Sequence, residues 1–165
     1  MNADDRFEEF CQEMLNKFLE KNPDWATFLG LHEPYDYLLP NGSTQALVEN
    51  LQLLEKSIKR LNETMRKEEL NEDNRINWEV IEKAHERFKF AFHERRMHEL
   101  NPDAFEEIAG LIYTMFTRDY APMAKRVDAI AARIEKAPEF LQEFRSRFDR
   151  SLPVLGTPNE EVLEK

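Results

Sequence analysis

Apolar residues recur every three or four positions along nearly the whole chain, which is the spacing of one face of an α-helix. The first such face joins seven positions: Phe7, Phe10, Cys11, Met14, Leu15, Phe18 and Leu19. A second forms a narrow seam, with no break, through Leu47, Leu51, Leu54, Ile58, Leu61 and Met65. A seam of this kind is typical of a helix that packs along a neighbouring helix.

Cap residues and prolines predict where the next helices begin and end. Asn22 before Pro23 indicates the start of a short helix, which Gly30 would close. Asn71 is expected to open the third long helix. That helix should stop at Leu100, because another cap residue followed by proline comes directly after it.

The second half of the chain carries three more apolar helical faces. The fourth face contains Phe105, Ile108, Ala109, Ile112, Met115 and Phe116. Gly110 lies within it and predicts the close approach of another backbone. The fifth face is formed by Val127, Ile130, Ala131 and Ile134. Its helix should begin near residues 120–122 and end before Pro138, since proline disrupts a helix interior. A sixth face follows with Phe140, Leu141, Phe144 and Phe148.

Strand signals are nearly absent, and only four glycines serve 165 residues. The sequence therefore predicts an all-α fold: a bundle of about five long and two short helices, mostly antiparallel, with short connections. We expect one helical domain over residues 1–156. Residues 157–165 would be the start of a truncated helix or a tail, because Thr157-Pro158 begins a helix that has room for only two turns.

The charge composition of the chain argues against some classes of binding partner. The net charge is −10 and the pI is about 5.0, which argues against nucleic acid and against an anionic membrane surface. No stretch reaches the roughly 18 apolar residues of a membrane span. The acidic first residues do not form a signal peptide, so a cytoplasmic protein is expected. The one cysteine, Cys11, lies on an apolar face and is expected to be a buried, unreactive thiol.

No complete catalytic or metal-binding constellation is visible in the chain. His93-Glu94 and His98 come close to the H-E-x-x-H pattern of zinc peptidases. Histidines five apart project about 140° from each other around a helix, so they could share a metal only if the helix broke. His85 lies on an apolar face, where a core-edge histidine with a satisfied ring is expected. We therefore predict no catalytic residue, no metal ligand and no cofactor within this chain.

The loop from Asn22 to Pro40 is the least ordinary part of the sequence. It carries three candidate binding residues: His32, Tyr35 and Asp36. A histidine and an aspartate four residues apart could orient each other or reach a ligand. The alternative is a structural corner, in which aromatic side chains plug a helix junction: Trp25, Phe28, Tyr35 and Tyr37.

The same loop resembles the opening of the bacterial and archaeal family called domain of unknown function 885. The resemblance lies in Pro23-Asp24-Trp25-Ala26-Thr27-Phe28-Leu29-Gly30-Leu31-His32, followed by Tyr35-Asp36 and Leu38. It continues in Tyr120-Ala121-Pro122, Arg126-Val127-Asp128-Ala129-Ile130, Ala132-Arg133-Ile134 and Pro138-Glu139-Phe140-Leu141.

The resemblance implies a helical protein much longer than this chain. Members of the family are similar to zinc metallopeptidases of the gluzincin type, with an H-E-x-x-H helix and a further glutamate ligand in their C-terminal portion. Their N-terminal helices typically form a wall or lid of a deep substrate channel. No position of this chain matches those zinc or catalytic residues, so none is assigned here.

The first functional hypothesis is therefore a non-catalytic N-terminal helical domain of a zinc metallopeptidase-like protein, of the carboxypeptidase or oligopeptidase kind. Its partner would be the remainder of the polypeptide, its parent would hold the zinc, and the parent's substrate would be a peptide. The alternative is a stand-alone helical interaction module, dimeric through the seam from Leu47 to Met65. A hydrolase built from these residues alone is disfavoured, because the chemistry is missing.

Overall fold

The computed structural model describes residues 2–100 and 104–148. Within these ranges it contains seven α-helices: α1 (Ala3–Lys21), α2 (Pro23–Phe28), α3 (Thr44–Thr64), α4 (Glu72–His93), α5 (Met97–Leu100), α6 (Ala104–Thr117) and α7 (Met123–Arg145). Two single-turn 3-10 helices lie at Tyr35–Tyr37 and Lys67–Glu69. The prediction of an all-α fold with five long and two short helices is confirmed. The helix start expected at Thr157, and the boundary after residue 156, lie outside the described residues.

The chain forms two compact units by its packing. The first consists of Met1–Asn22 and Gln45–Arg95, and the second of Pro23–Thr44 and the described residues from Arg96 onward. None of the described helices is long and apolar enough to cross a membrane. The first unit holds α1, α4 and nearly all of α3. The second holds residues Pro23 to Pro40 of the loop described above, here called the aromatic loop, together with α6 and α7.

The core of the first unit lies where α1, α3 and α4 meet. Its buried members are Phe7, Phe10, Leu61, Leu70 and Trp78. The rings of Phe7 and Trp78 stack with centroids 5.9 Å apart. Leu51 and Leu61 of the predicted seam are both buried, which confirms that the seam packs inward.

Side-chain caps fix the ends of the helices in this unit. Asn2 forms a capping box with Asp5 at the start of α1. Asn71 caps α4 as predicted, and its side chain accepts a hydrogen bond from the backbone N–H of Asn74. Asp4 accepts hydrogen bonds from the Asn71 backbone N–H at 3.0 Å and from Asn74 Nδ2 at 2.9 Å, and these bonds lower its pKa. The starts of α1 and α4 are thus held together.

Glu13 provides a pH-dependent contact between α1 and α3. Its two carboxylate oxygens accept hydrogen bonds from Arg60 at 3.0 and 2.6 Å, and Lys17 adds a third at 2.5 Å. These bonds lower the pKa of Glu13 from 4.5 to about 2. Because the pKa is lowered by folding, the contact stabilises the protein above pH 4.5. Its contribution is lost as the pH falls toward about 2.

We therefore expect Glu13→Gln to flatten the dependence of unfolding free energy on pH between about 2 and 4.5. Urea denaturation at several pH values in this window would measure it. The control is Glu9→Gln, which neutralises an exposed glutamate on the same helix. Equal pH profiles for the two variants would contradict the assignment.

The third long helix ends earlier than predicted. Instead of continuing to Leu100, α4 stops at His93, where the next two backbone N–H groups both donate to the carbonyl of Phe90, at 3.0 and 3.1 Å. Arg96 then takes a left-handed conformation with φ of 46°, and α5 begins at Met97. Any residue other than glycine costs about 1–2 kcal/mol in the left-handed conformation. An arginine at this position therefore gives no sequence signal that the helix ends here.

The core of the second unit lies between α6, the C-terminal half of α7 and the segment before α3. Ile108, Phe140 and Phe144 are buried there, and Leu39 packs against them with four further apolar side chains: Ile112, Ala137, Leu141 and Phe148. α2 begins at Pro23, as predicted. Gly30 closes it with a φ of +82°, while the Leu31 N–H donates to the carbonyl of Ala26 at 2.8 Å.

The two predicted helices on either side of Pro138 are one continuous helix, α7. The prediction of a stop before Pro138 is wrong. An internal proline costs about 3 kcal/mol through its lost N–H and the clash of its ring. Buried side chains on both sides of it, Arg133 and then Phe140 and Phe144, stabilise the continuous helix.

The glycine predictions also change. A Cβ on Gly110 would meet no atom of the described residues within 4 Å, so among these residues the predicted close approach of another backbone does not occur. The close approach occurs at Gly42, where a Cβ would lie 2.6 Å from the carbonyl oxygen of Phe140. Glu143 holds this contact together, because its carboxylate accepts hydrogen bonds from Gly42 N at 2.8 Å and Asn41 Nδ2 at 3.2 Å.

Candidate functional site

The buried face of α7 carries arginines where the sequence predicted branched apolar residues. Its buried members are Arg126, Ala129, Arg133, Phe140 and Phe144. Val127 and Ile134, predicted to face inward, keep 49% and 53% of their surface exposed. The predicted apolar face of this helix is therefore wrong, because hydrogen bonds to buried acceptors favour the arginines over the hydrocarbon side chains.

Arg133 is fully buried, with 0% of its surface exposed. Its guanidinium donates to five acceptors: the carbonyl of Leu38 (2.9 Å), Met115 Sδ (2.9 Å), the carbonyl of Pro23 (3.5 Å), Thr27 Oγ1 (2.7 Å) and the carbonyl of Tyr35 (3.0 Å). Burial lowers the pKa of Arg133, whereas the charges of Asp36 and Asp24 act in the opposite direction. The planar guanidinium stays charged and ties α2, the 3-10 turn and α6 to α7.

Thr27 links Arg133 to a buried carboxylate. Its hydroxyl accepts the hydrogen bond from Arg133 and donates to Asp36 Oδ1 at 2.8 Å. Thr27 is fully buried, and Asp36 is only 4% exposed. The positive and negative charges are therefore connected through a hydroxyl group.

Asp36 in turn holds His32. The Nδ1 atom of His32 lies 3.0 Å from Asp36 Oδ2 and 3.2 Å from Oδ1. Since a carboxylate only accepts hydrogen bonds, Nδ1 is the donor and Nε2 carries the free lone pair when the ring is neutral. The face of the ring stacks on Tyr120, with centroids 3.4 Å apart and planes 3° apart. Two independent contacts thus fix the imidazole.

Two further groups at this site are desolvated. Burial raises the pKa of Tyr120, and the interaction of its buried hydroxyl with the Asp36 carboxylate raises it further. Because its pKa is raised, Tyr120 is neutral at physiological pH. Burial also raises the pKa of Asp24, although hydrogen bonds from backbone N–H groups and the charge of Arg133 partly oppose this.

Arg126 organises the connection between α6 and α7. It donates to the backbone carbonyls of Phe116 (2.9 Å), Arg118 (2.8 Å) and Ala121 (2.9 Å). It also forms an ion pair with Asp119 at 3.2 Å. These carbonyls lie at the end of α6 or just beyond it, where no helical N–H follows to satisfy them. The arginine thereby sets the position of Tyr120 within the connection.

The residues predicted in the aromatic loop come together only in part. His32 and Asp36 form the pair that their spacing suggested, while Tyr35 contributes its backbone carbonyl to Arg133. Their role in binding a ligand stays a prediction. The alternative, a corner plugged by aromatic rings, is wrong for three of its members, since Trp25, Phe28 and Tyr37 are exposed.

Sequence reasoning missed three participants: Thr27, Tyr120 and Arg133. All three lie inside the segments that resemble the family, and this position within them was the available signal. Tyr120 could not be paired with His32 from spacing, because the two are far apart in the chain.

The remaining candidate residues do not form a site. Within the described ranges, no group of three or more His, Cys, Asp or Glu side chains could hold a metal ion. His93 and His98 lie on separate helices, so the predicted shared helix is wrong. The Nε2 atom of His85 is buried without a partner among the described residues, which contradicts the satisfied ring. Cys11 is partly buried rather than buried as predicted, and burial raises the pKa of its thiol.

The fold and this buried network define an all-helical protein whose second unit is held together by an arginine on α7. The chain belongs to the family described as "Bacterial protein of unknown function (DUF885)", whose profile matches residues 23–165. This confirms the family to which the aromatic loop pointed. Search of the curated proteins found no match.

One solved structure shares the fold. It is described as "a putative lipoprotein of unknown function from Shewanella oneidensis", and it matches 87% of this chain with a TM-score of 0.78 at 18% sequence identity. The match covers 26% of the Shewanella protein, so this chain spans about a quarter of that protein's length. At this identity the similarity concerns the fold alone.

Proposed function

We propose that the chain is a non-catalytic helical domain of a longer, zinc metallopeptidase-like protein, in which it forms a wall or lid of the substrate channel. The observation that carries this proposal is the fold match to a quarter of a longer protein. Residues 23–165 belong to a family of unknown function, and the class of enzyme proposed here rests on the resemblance of that family to gluzincin-type peptidases. The remainder of the polypeptide would be the partner, and a peptide the parent's substrate.

Exposed apolar side chains on the second unit support this reading. Tyr113 and Phe116 on α6 keep 68% and 57% of their surface exposed, and Trp25 keeps 54%. Tyr113 and Phe116 are three residues apart on α6 and therefore neighbours on one helix face, and an exposed apolar surface of this kind is suited to being covered by another part of a protein. The seam proposed for dimerisation is less suitable, because Leu51 and Leu61 are buried within the chain.

The reading frame beyond Lys165 is the direct test. We expect it to continue into an H-E-x-x-H helix and a downstream glutamate, because the resemblance to gluzincin-type peptidases places the zinc ligands in the C-terminal portion. Purified full-length protein should contain zinc, whereas residues 1–165 alone should bind none and cleave no peptide. A stop codon directly after Lys165 would overturn the proposal.

A cytoplasmic location remains part of this proposal. Fractionation of cells that carry the tagged full-length protein would test it. Recovery in the membrane fraction would contradict it.

A further inference from the structure

A cleft of about 300 Å³ opens beside His32 in the second unit. Its charged and ionisable lining residues include His32, Glu33, Asp36 and Lys125. This volume is at the small end of ligand pockets, so the cleft suits a small metabolite rather than a chain segment.

The His32 ring is held in one orientation, and its Nε2 atom is left available to a ligand. Its Nδ1 is committed to Asp36 and its face to Tyr120, so the ring orientation is fixed before anything binds. The Nε2 atom makes no hydrogen bond to any described residue, and 20% of the side chain remains exposed. When the ring is neutral, this partly exposed nitrogen can accept a hydrogen bond from a ligand in the cleft.

Two side chains of opposite charge line the same cleft. Glu33 and Lys125 are exposed, and neither forms an ion pair or hydrogen bond with another described residue. A ligand that carries both a cationic and an anionic group could pair with each of them. A simple carboxylate or a simple amine would satisfy only one of the two.

Apart from Asp36, whose carboxylate is already hydrogen-bonded to His32 and Thr27, the rest of the wall is apolar or aromatic. Tyr37 and Tyr120 contribute to it, and Ala121, Pro122 and Ala129 have no polar side-chain atoms. Such a surface favours a ligand with a hydrocarbon side chain over one with a polar side chain.

We propose that this cleft binds a free α-amino acid with an apolar side chain. Lys125 would pair with its carboxylate, Glu33 with its ammonium group, and His32 Nε2 would accept a hydrogen bond from the same ammonium. The cleft lies wholly within this chain, so its binding of an amino acid does not depend on whether the chain is a domain of a peptidase.

L-leucine and two truncated analogues test the ligand class on the full chain. The analogue 4-methylpentanoate lacks the ammonium group, and 3-methylbutylamine lacks the carboxylate. We expect L-leucine to shift the His32 ring proton signals in NMR saturably at neutral pH, with the signals assigned from the His32→Gln variant. Each analogue should bind at least about tenfold more weakly, because each loses a charge-assisted hydrogen bond.

Matched variants test the residues. Lys125→Gln and Glu33→Gln should each weaken L-leucine binding by at least about fivefold, since each removes one ion pair. Lys56→Gln and Glu20→Gln make the same charge changes at exposed positions in the first unit and should leave binding unchanged. The proposal is overturned by no saturable shift up to the solubility limit of L-leucine, by equal binding of either analogue, or by wild-type affinity in both cleft variants.

Discussion

Arg133→Met is expected to lower the free energy of unfolding by about 3–5 kcal/mol, the range found when one partner of a buried ionic network is removed. Methionine fills much of the same space but donates no hydrogen bond. The substitution leaves buried acceptors unpaired on three other elements, including Thr27 Oγ1 and the carbonyls of Tyr35 and Leu38. It also leaves Asp36, which is only 4% exposed, without its positive partner.

Urea denaturation followed by circular dichroism measures the loss. Arg145→Met is the matched control, because Arg145 is exposed in the last turn of the same helix, and a surface change of this kind stays within about 0.5 kcal/mol. Arg133→Lys should fall between the two, since an ammonium group retains the charge but cannot reach acceptors in several directions at once. If Arg133→Met cost no more than Arg145→Met, the network would have no structural role.

A second variant separates the charge from the hydrogen bonds. Asp36→Asn combined with Arg133→Met should be less destabilising than the sum of the two single changes, because the double variant no longer contains an uncompensated buried carboxylate. Strict additivity would mean that Arg133 and Asp36 do not interact through Thr27.

Gly42→Ala is expected to destabilise the protein by about 1–3 kcal/mol, the usual cost of forcing an extra carbon into a filled site. The new Cβ would lie 2.6 Å from the carbonyl oxygen of Phe140 and 3.1 Å from the backbone nitrogen of Phe144. Both are main-chain atoms of α7, which cannot move aside as a flexible side chain would. The hydrogen bond from Gly42 N to Glu143 would be stretched as well.

Gly110→Ala adds the same methyl group but is expected to raise stability instead of lowering it. Gly110 lies inside α6, and no atom of the described residues comes within 4 Å of the position of a Cβ, so alanine should stabilise the protein by about 0.5–1 kcal/mol. Thermal unfolding of the two variants beside the wild type measures both. A loss of stability in Gly110→Ala, or none in Gly42→Ala, would contradict the packing described here.

The features that could be predicted from the sequence are those set by local chemistry. The starts at Pro23 and Asn71 depend on cap geometry within a few residues, and the left-handed position at Gly30 depends on the missing side chain. The pairing of His32 with Asp36 likewise needed only a spacing of four residues. In each case the determinant and its consequence are neighbours in the chain.

The features that could not be predicted arise from packing between distant segments. Pro138 continues a helix because buried side chains on both sides offset its local cost. Arg126 and Arg133 occupy the inward face of α7 because carbonyl groups from other segments satisfy them, and those acceptors have no signature in the sequence. Because charged residues were expected to be exposed, the sequence pattern predicted the wrong buried face for α7. For the same reason Arg133, which is linked to Asp36 through Thr27, was not recognised.

Most of the groups that hold the two buried arginines are backbone carbonyls, those of Pro23, Tyr35, Leu38, Phe116, Arg118 and Ala121. A carbonyl is present whatever side chain its residue carries. The hydrogen bonds of the arginines therefore depend mainly on the course of the backbone and not on which side chains it carries. Residues along that path can be exchanged during divergence, provided that the path itself is kept, whereas the two arginine positions admit no such freedom.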